Sequence, residues 1–272
     1  MNEDLEFALR LAEAADQLSL RRFHDTDLHV EKKPDMTPVT DADRAVETKL
    51  RELIAAERPG DEVYGEEGGG NAARMPASPN GRRWIIDPID GTKNYLRGVP
   101  IWATLIALQV QANLIIGVVS APALGRRWWG ALPAAGAAVA YTDYCGIAAA
   151  RAGNPRRLKV SGVSSLGDAS ASFASPGGWQ ELGRLDRLKE LCMSIWRCRA
   201  YGDFYSYMLV AEGAVDFAAE PELNLYDMAA LVPVVTAAGG TFTGLDGSPG
   251  PWSGNALASN GALHDAVLAR IG

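Results

Sequence analysis

The sequence is poor in the residues that build disulfide frameworks and zinc sites. Its 272 residues include three cysteines and three histidines, with neither a CxxC nor an HExxH spacing. An odd cysteine count without paired spacing is typical of free thiols and argues against a disulfide scaffold or a structural zinc site. We therefore interpret His24, His29 and His264 as structural or surface residues.

Long apolar segments and basic tracts are also missing. No run of about 18 apolar residues is present, so no membrane-spanning helix is expected, and the acidic N-terminus is unlike a signal peptide. The formal net charge is −7 and basic residues occur only as short groups such as Arg156-Arg157, which argues against nucleic-acid binding. The 47% hydrophobic and 22% charged residues indicate a globular protein, and we expect a cytoplasmic enzyme with small substrates.

The pattern of apolar residues predicts a mixed α/β protein with mainly antiparallel strands early and alternating elements late. Segment 131–161 has few large apolar residues, and we expect it to bridge an N-terminal α+β half (about 1–150) and a C-terminal α/β half (about 151–272) of one domain. The predicted helices cover residues 4–23, 41–56, 182–194, 203–212 and 225–239. The predicted strands cover residues 62–65, 82–87, 102–110, 114–121, 126–132, 170–175, 195–199, 214–220 and 240–243.

The motif DPIDGT at residues 87–92 is the strongest indication of chemistry. Asp87 and Asp90 follow an apolar strand, where an acidic side chain needs solvent or a cation to compensate its charge. Two carboxylates across a tight turn, with the Ile89 carbonyl, can form an oxygen shell for a hard cation. Gly91 permits a close backbone approach to a phosphate. The alternative is an ordinary Asp-Pro turn followed by a solvated bend.

Three further acidic motifs have plain structural interpretations when taken singly. Asp43, in TDAD, could belong to the capped start of a helix, for which Thr40 or Asp41 is the candidate cap. Glu66 and Glu67, after Gly65, could lie in a solvated loop. Asp227, in YDMAA, could cap the following helix.

The order and separation of VTDAD, GEE, DPIDGT and YDMAA resemble the inositol-monophosphatase-like family of metal-dependent sugar phosphatases. The resemblance covers nearly the whole chain, from about residue 5 to residue 270. It implies a layered α-β-α-β-α sandwich in two halves, with the metal site between them, and a homodimer. It also implies a small phosphate monoester as substrate and about two or three Mg²⁺ ions as cofactors.

Family resemblance further implies the metal ligands. Glu66, Asp87 and the Ile89 carbonyl correspond to ligands of the first Mg²⁺, and Asp87, Asp90 and Asp227 to ligands of the second. A third, weaker Mg²⁺ would contact Glu66 through water. An all-oxygen shell suits Mg²⁺ better than Zn²⁺.

The catalytic residues implied by the resemblance are Asp43, Thr92 and Glu66. Thr92 and Asp43 correspond to the pair that positions and deprotonates the attacking water, while the N–H groups of Gly91 and Thr92 bind the phosphate. Glu67 corresponds to a supporting residue behind the metal ligands. The chain departs from the family pattern in having Tyr226 where Trp is usual, and in the glycines after Glu67, which favour a mobile metal loop.

Several long segments, among them WIIDPIDGTKNYLRGVPIWATLIAL, resemble the histidinol-phosphatase branch of this family in actinobacteria. This implies hydrolysis of L-histidinol phosphate to L-histidinol in histidine biosynthesis. Because that substrate carries an ammonium and an ionisable imidazole, we expect Asp203 and Glu220 to bind its cationic end. Arg199 could pair with Asp203 or with substrate oxygen atoms. The alternatives are a helix N-cap for Asp203 and a structural role for Arg199.

Three other functions remain open on the sequence. One is a broad inositol or sugar monophosphatase, which differs only in substrate. A second is a phosphatase acting on phosphoadenosine phosphate. The third is a non-catalytic regulator that keeps the fold and binds a phosphorylated metabolite, although all the acidic motifs are present.

Overall fold

The computed structural model describes residues 3–25, 29–32, 38–70, 80–134 and 136–272. The helices are α1 (Glu3–Arg22), α2 (Asp41–Glu57), α3 (Thr92–Leu96), α4 (Pro176–Glu181), α5 (Leu185–Ser194), α6 (Asp203–Ala211), α7 (Leu225–Ala229), α8 (Leu231–Ala237) and α9 (His264–Ile271). The strands are β1 (Val30–Lys32), β2 (Pro38–Thr40), β3 (Glu62–Gly65), β4 (Arg82–Asp90), β5 (Ala103–Val110), β6 (Asn113–Ala121), β7 (Arg126–Ala131), β8 (Val139–Tyr144), β9 (Arg156–Arg157), β10 (Ser170–Phe173), β11 (Arg197–Arg199), β12 (Phe217–Glu220), β13 (Thr241–Thr243) and β14 (Ala256–Ser259).

Two large sheets organise the molecule. A seven-stranded sheet runs in the order β3-β4-β5-β6-β7-β8-β9, in which β3 and β4 are parallel and the other neighbours antiparallel. A five-stranded sheet runs in the order β11-β10-β12-β14-β13, with β10 parallel to both of its neighbours. The short strands β1 and β2 form a separate antiparallel pair.

Helices cover both sheets and fill the space between them. Helices α1 and α2 pack on one face of the seven-stranded sheet. Helices α6, α7 and α8 lie between the two sheets, and α4, α5 and α9 cover the outer face of the five-stranded sheet. The predicted layered α-β-α-β-α sandwich is therefore confirmed.

The amphipathic pattern of the first two helices places them on the sheet as predicted. In α1 the buried side chains include Leu5, Ala8 and Leu11, which recur at helical spacing along one face. Helix α2 starts at the predicted cap, because the Thr40 hydroxyl accepts hydrogen bonds from the N–H groups of Ala42 and Asp43. The buried faces of α1 and α2 pack against β4 and β5. This packing sets the position of the start of α2 relative to the end of β4.

Strand β4 extends further into the DPIDGT motif than the sequence predicts. We expect a strand that ends at Asp87, whereas β4 continues to Asp90. The pairing with β5 shifts register between Asp87 and Asp90, which indicates a bulge. The buried Thr104 hydroxyl donates to the Pro88 carbonyl at 2.8 Å and holds this bulge. The bulge lets proline lie within a sheet strand.

Several other elements differ from prediction. Segment 131–161, expected as a bridge, instead supplies β8 and β9 to the first sheet. The predicted helix over 225–239 is divided into α7 and α8 at Ala230. Strand β14 and helix α9 are not among the predicted elements. These short elements depend on their neighbours for stability, which local pattern does not reveal, and the division into halves near residue 150 stays a prediction.

Within the part of the chain that the structure describes, none of the helices combines the length and the apolar character needed to cross a membrane.

Candidate active site

Three acidic side chains converge where β4 ends. Asp87 and Asp90 lie on the bulged end of β4, and Asp227 occupies the third position of α7. One carboxylate oxygen from each lies within 4.8 Å of the other two. Asp227 is not the N-cap of its helix, which is Asn224, but it completes the cap as the third residue of a capping box, because the Asn224 N–H donates to Asp227 Oδ2 at 2.6 Å.

The electrostatics of this cluster strongly favour a bound cation. Burial, and after it the charge of Glu66, raises the pKa of Asp87 well above its usual range. Burial also raises the pKa of Asp227 to about 7. Among the described residues, Asp87 Oδ1 has no hydrogen-bond partner. Three carboxylates at this separation, one buried and two half-buried, fit a hard divalent cation, whose charge would offset their repulsion.

Glu66 and the Ile89 carbonyl belong to the same site. Glu66 follows β3, next to β4 in the sheet, and lies close enough to Asp87 for its charge to help raise the pKa of Asp87. The Ile89 carbonyl accepts a hydrogen bond from the Thr92 hydroxyl at 3.1 Å. The structure thus brings all five predicted metal ligands to one end of β4, although their roles as ligands remain proposals.

Asp43 faces Thr92 from the start of α2. The N–H and hydroxyl of Thr40 both donate to Asp43 Oδ2, at 2.9 and 2.5 Å. Asp43 Oδ1 is directed towards the Thr92 hydroxyl at 3.4 Å. Burial raises the pKa of Asp43 to about 7, in spite of the opposing hydrogen bonds from Thr40. The predicted capping role and the predicted contact with Thr92 are therefore both present.

Gly91 turns the chain from β4 into α3. Its φ of +86° is a left-handed conformation that glycine adopts without strain. A Cβ atom there would lie only 3.0 Å from the Ile101 carbonyl and 3.2 Å from Asp203 Oδ2. The first N–H groups of α3, starting with Thr92, have no acceptor within the helix. This turn therefore provides the geometry expected of a phosphate-binding loop.

Asp203 lies across from this turn. Its φ of +45° is unusual for a residue other than glycine and marks backbone strain of the kind found at functional sites. The N-cap interpretation is wrong, since α6 has Gly202 as its N-cap and no side-chain capping bond. Instead, Asp203 Oδ2 accepts a hydrogen bond from Asn94 Nδ2 at 2.7 Å. The neighbouring Phe204 N–H donates to Asp90 Oδ2 at 2.8 Å, which ties α6 to the acidic cluster.

The substrate-binding roles predicted for Glu220 and Arg199 compare differently with the structure. Glu220 ends β12 beside Tyr207, and burial, followed by the charge of Asp203, raises its pKa to about 8. Arg199 is exposed on β11, and its Nη1 donates to the Cys198 carbonyl at 2.6 Å. No ion pair between Arg199 and Asp203 is found among the described residues, so its predicted role in substrate binding gains no support here.

Three residues outside the predicted ligand and catalytic sets position the site; sequence reasoning placed Asn94 near the pocket and missed Thr104 and Glu47. Asn94 also donates to the Ile101 carbonyl at 2.9 Å, and so links Asp203 to the chain after α3. Thr104 holds the β4 bulge. Glu47 accepts the Glu67 N–H at 2.7 Å, which attaches the Glu66 loop to α2. A TxxD capping box is visible in the sequence, but these long-range contacts leave no local signal. The supporting role predicted for the Glu67 side chain stays a prediction.

Comparison with known protein families is consistent with this geometry. A sequence model described as the inositol monophosphatase family matches residues 1–271.

Individual relatives extend the comparison. The chain is 54% identical to a histidinol-phosphatase of Streptomyces coelicolor over 270 residues, covering 98% of this chain and 96% of the relative. It is 52% identical to a histidinol-phosphatase of Mycobacterium tuberculosis, covering 99% of this chain and 98% of the relative. Among solved structures, an IMPase of Thermotoga maritima superposes with a TM-score of 0.83 at 27% identity, covering 99% and 97% of the two chains.

Proposed function

The chain belongs to the inositol monophosphatase family of metal-dependent phosphatases, and from this premise we propose that it hydrolyses L-histidinol phosphate to L-histidinol and phosphate with Mg²⁺ as cofactor. Two relatives at more than half identity over nearly their whole length have the name histidinol-phosphatase. The proposal assigns the metal ligands and catalytic residues by their positions around the end of β4.

The observation that carries the choice of substrate is the contact between Asp203 and the Gly91 turn. Histidinol phosphate has its ammonium group on the carbon next to the phosphoester carbon. We therefore propose that a carboxylate beside the phosphate-binding turn pairs with that ammonium. Asp203 Oδ2 is held there by Asn94, and Glu220 adds a second acidic group nearby. Inositol and sugar phosphates have a neutral hydroxyl at the corresponding position.

Glu66, Asp87, Asp90, Asp227 and the Ile89 carbonyl would hold the Mg²⁺ ions. Bound there, the ions would supply positive charge for the phosphate and the leaving oxygen and make a water molecule more acidic. Oxygen donors of this kind are those that Mg²⁺ prefers. We propose about two or three ions per site, as in the two-metal arrangement of other phosphatases.

The chain's own residues orient the water and accept its proton. In the reaction the Thr92 hydroxyl would donate to Asp43 Oδ1 in place of the Ile89 carbonyl, and its oxygen would accept a hydrogen bond from the water. Because Thr40 holds Asp43 Oδ2, the other oxygen stays directed at Thr92. A carboxylate with a pKa near 7 is suited to act as a base at neutral pH. The N–H groups of Gly91 and Thr92 hold the phosphate in line with the water.

The test is phosphate release by the purified protein with Mg²⁺ on four substrates at equal concentration. These are histidinol phosphate, inositol-1-phosphate, fructose-1,6-bisphosphate and phosphoadenosine phosphate. We expect histidinol phosphate to lead by at least about 100-fold in kcat/KM, which corresponds to about 2.7 kcal/mol. Equal or better hydrolysis of inositol phosphate would make the protein a broad monophosphatase. No release from any substrate would favour a regulator instead.

A variant of Asp203 tests whether this residue causes the preference for histidinol phosphate. Asp203→Asn keeps the hydrogen-bonding shape and removes the charge. We expect it to lower kcat/KM for histidinol phosphate at least about tenfold. The loss should disappear with an analogue that has hydrogen in place of the amino group. Glu222→Gln, on an exposed neighbour of Glu220, is the matched control. An equal loss with both substrates would contradict ammonium recognition by Asp203.

The predicted homodimer is part of the proposal, since family members of this type commonly pair. Sedimentation of the purified protein tests it separately from the activity.

A further inference from the structure

The loop that presents Glu66 is closed upon itself and attached to β4. The Gly65 N–H donates to the Gly69 carbonyl at 3.1 Å, so residues 65–69 form a tight turn. The Glu66 N–H donates to the Ile86 carbonyl at 3.2 Å. These two bonds fix the ends of the turn, while its middle, at Glu67 and Gly68, needs another support.

That support is the carboxylate of Glu47, from the middle of α2. Glu47 Oε2 accepts the Glu67 N–H at 2.7 Å and Oε1 accepts the Gly68 N–H at 2.8 Å. Glu47 is only 2% exposed. Hydrogen bonds from N–H groups to a buried carboxylate are among the stronger ones in proteins. The turn is thus built around a charged group that belongs to a different element.

Arg51 completes the arrangement one helical turn later on α2. Arg51 Nε donates to Glu47 Oε1 at 2.8 Å. Arg51 Nη2 donates to the Gly69 carbonyl, also at 2.8 Å. The pair therefore binds both the N–H groups and a carbonyl of the same turn. The opposite charges also compensate each other in a largely buried place.

Two positions of this turn are occupied by glycine because a larger residue would not fit there. A Cβ atom on Gly65 would overlap the Glu47 carboxylate, and one on Gly68 would overlap both Glu47 and the Arg51 guanidinium. Sequence reasoning interpreted the glycines as a sign of a mobile loop. In the described residues 65–70, the glycines at 65 and 68 make room for the two charged side chains of α2, while the mobility of the loop stays a prediction.

We propose that Glu47 and Arg51 are positioning residues that set the Mg²⁺ affinity of the site by fixing the backbone on either side of Glu66, an inference that rests on the proposed role of Glu66 as a metal ligand. A carboxylate ligand must be held at one distance and direction to bind a cation well. Partners behind metal ligands commonly change metal affinity by about 10–100-fold when they are removed.

Glu47→Gln is the first test, with Mg²⁺ binding measured by calorimetry in the absence of substrate. One oxygen of the carboxylate becomes an NH₂ group that faces a backbone N–H, so the turn loses a bond. We expect the Kd for Mg²⁺ to rise at least about tenfold, while kcat at saturating Mg²⁺ stays within about threefold of the unaltered protein. Glu52→Gln, on the exposed face of α2, is the matched control and should leave the Kd unchanged.

Arg51→Met separates positioning from simple charge effects. Removing a positive charge near the site would by itself tighten Mg²⁺ binding. Loss of the bond to the Gly69 carbonyl would instead weaken binding, and we expect weakening of at least about threefold. Tighter binding by Arg51→Met would overturn the proposal.

Gly68→Ala is a third variant that leaves both charges in place, and it decides the question if Glu47→Gln fails to fold. We expect weaker Mg²⁺ binding here too. If Glu47→Gln or Gly68→Ala lowers only the melting temperature in EDTA and leaves the Kd for Mg²⁺ unchanged, their role is structural and the proposal fails. Failure of the substrate panel alone, with Mg²⁺ binding still sensitive to these variants, would refute the proposed substrate and not this inference.

Discussion

Asp43 closes a capping box at the start of α2 and also faces Thr92. Its two oxygens divide these tasks, since Oδ2 accepts from Thr40 and Oδ1 is directed to Thr92. The cap therefore orients the residue that we propose as the base. The TxxD pattern predicts the cap, whereas the contact with Thr92 depends on α2 packing beside β4.

Asp43→Asn tests this residue. The amide can still accept from Thr40 but cannot take a proton, so we expect kcat for histidinol phosphate to fall about 100-fold or more. KM should change little, because Asp43 is not proposed to bind substrate. Steady-state kinetics at saturating Mg²⁺ measures both values. A kcat within threefold of the unaltered protein would remove Asp43 from the mechanism.

Asp43→Asn should also change how the free energy of unfolding depends on pH. Burial raises the pKa of Asp43 to about 7 from an ordinary value of 3.8. The folded metal-free protein thus binds an extra proton between these values, and its free energy of unfolding falls as pH rises through this window. Between pH 5 and pH 8 the contribution of Asp43 is roughly 2–3 kcal/mol. Thermal melts in EDTA should show a smaller fall for Asp43→Asn than for the unaltered protein.

At the scale of elements, the close packing of α8 on the seven-stranded sheet depends on two strand glycines. A Cβ atom on Gly117 of β6 would overlap the Ala230 carbonyl at the start of α8, and one on Gly130 of β7 would overlap the Pro233 carbonyl. The helix backbone therefore lies directly on the strands. This contact fixes α8, and with it the preceding α7 that carries Asp227.

Gly130→Ala tests this packing. The added methyl group has no space, so α8 must move away from β7, and we expect the free energy of unfolding to fall by about 1–3 kcal/mol. Gly162→Ala is the control, since a Cβ there meets no atom within 4 Å. Removing backbone freedom from the unfolded chain should make that control neutral or slightly more stable. Equal urea midpoints for the two variants would contradict the described contact.

At the scale of the molecule, the acidic site joins elements from different layers. Asp87 and Asp90 come from the seven-stranded sheet, Asp227 from a helix between the sheets, and Glu220 from the five-stranded sheet. Without a cation their charges oppose folding. Bound Mg²⁺ would therefore stabilise the arrangement of the layers as well as serve the reaction.

Asp227→Asn separates stability from metal binding. We expect the variant to be more stable than the unaltered protein in EDTA, because one of three clustered carboxylates is gone. Added Mg²⁺ should raise its melting temperature less, whereas Mg²⁺ at about 100 times its Kd should stabilise the unaltered protein by about 2.7 kcal/mol. Differential scanning calorimetry measures both. A destabilised metal-free variant would show that repulsion is not the dominant effect of Asp227.

The sequence by itself determined the mixed α/β class, the first two helices, the early antiparallel strands and the acidic motifs, because hydrophobic periodicity, turn residues and acidic motifs are local features; the layered sandwich followed from the family resemblance. It also identified the family, since four short motifs in order leave few alternatives. Tertiary structure decided the rest. The extension of β4 to Asp90, the Asn94 bond to Asp203 and the support of the Glu66 loop by Glu47 join residues far apart in the chain. Such contacts form only when sheets and helices pack, so local pattern does not contain them.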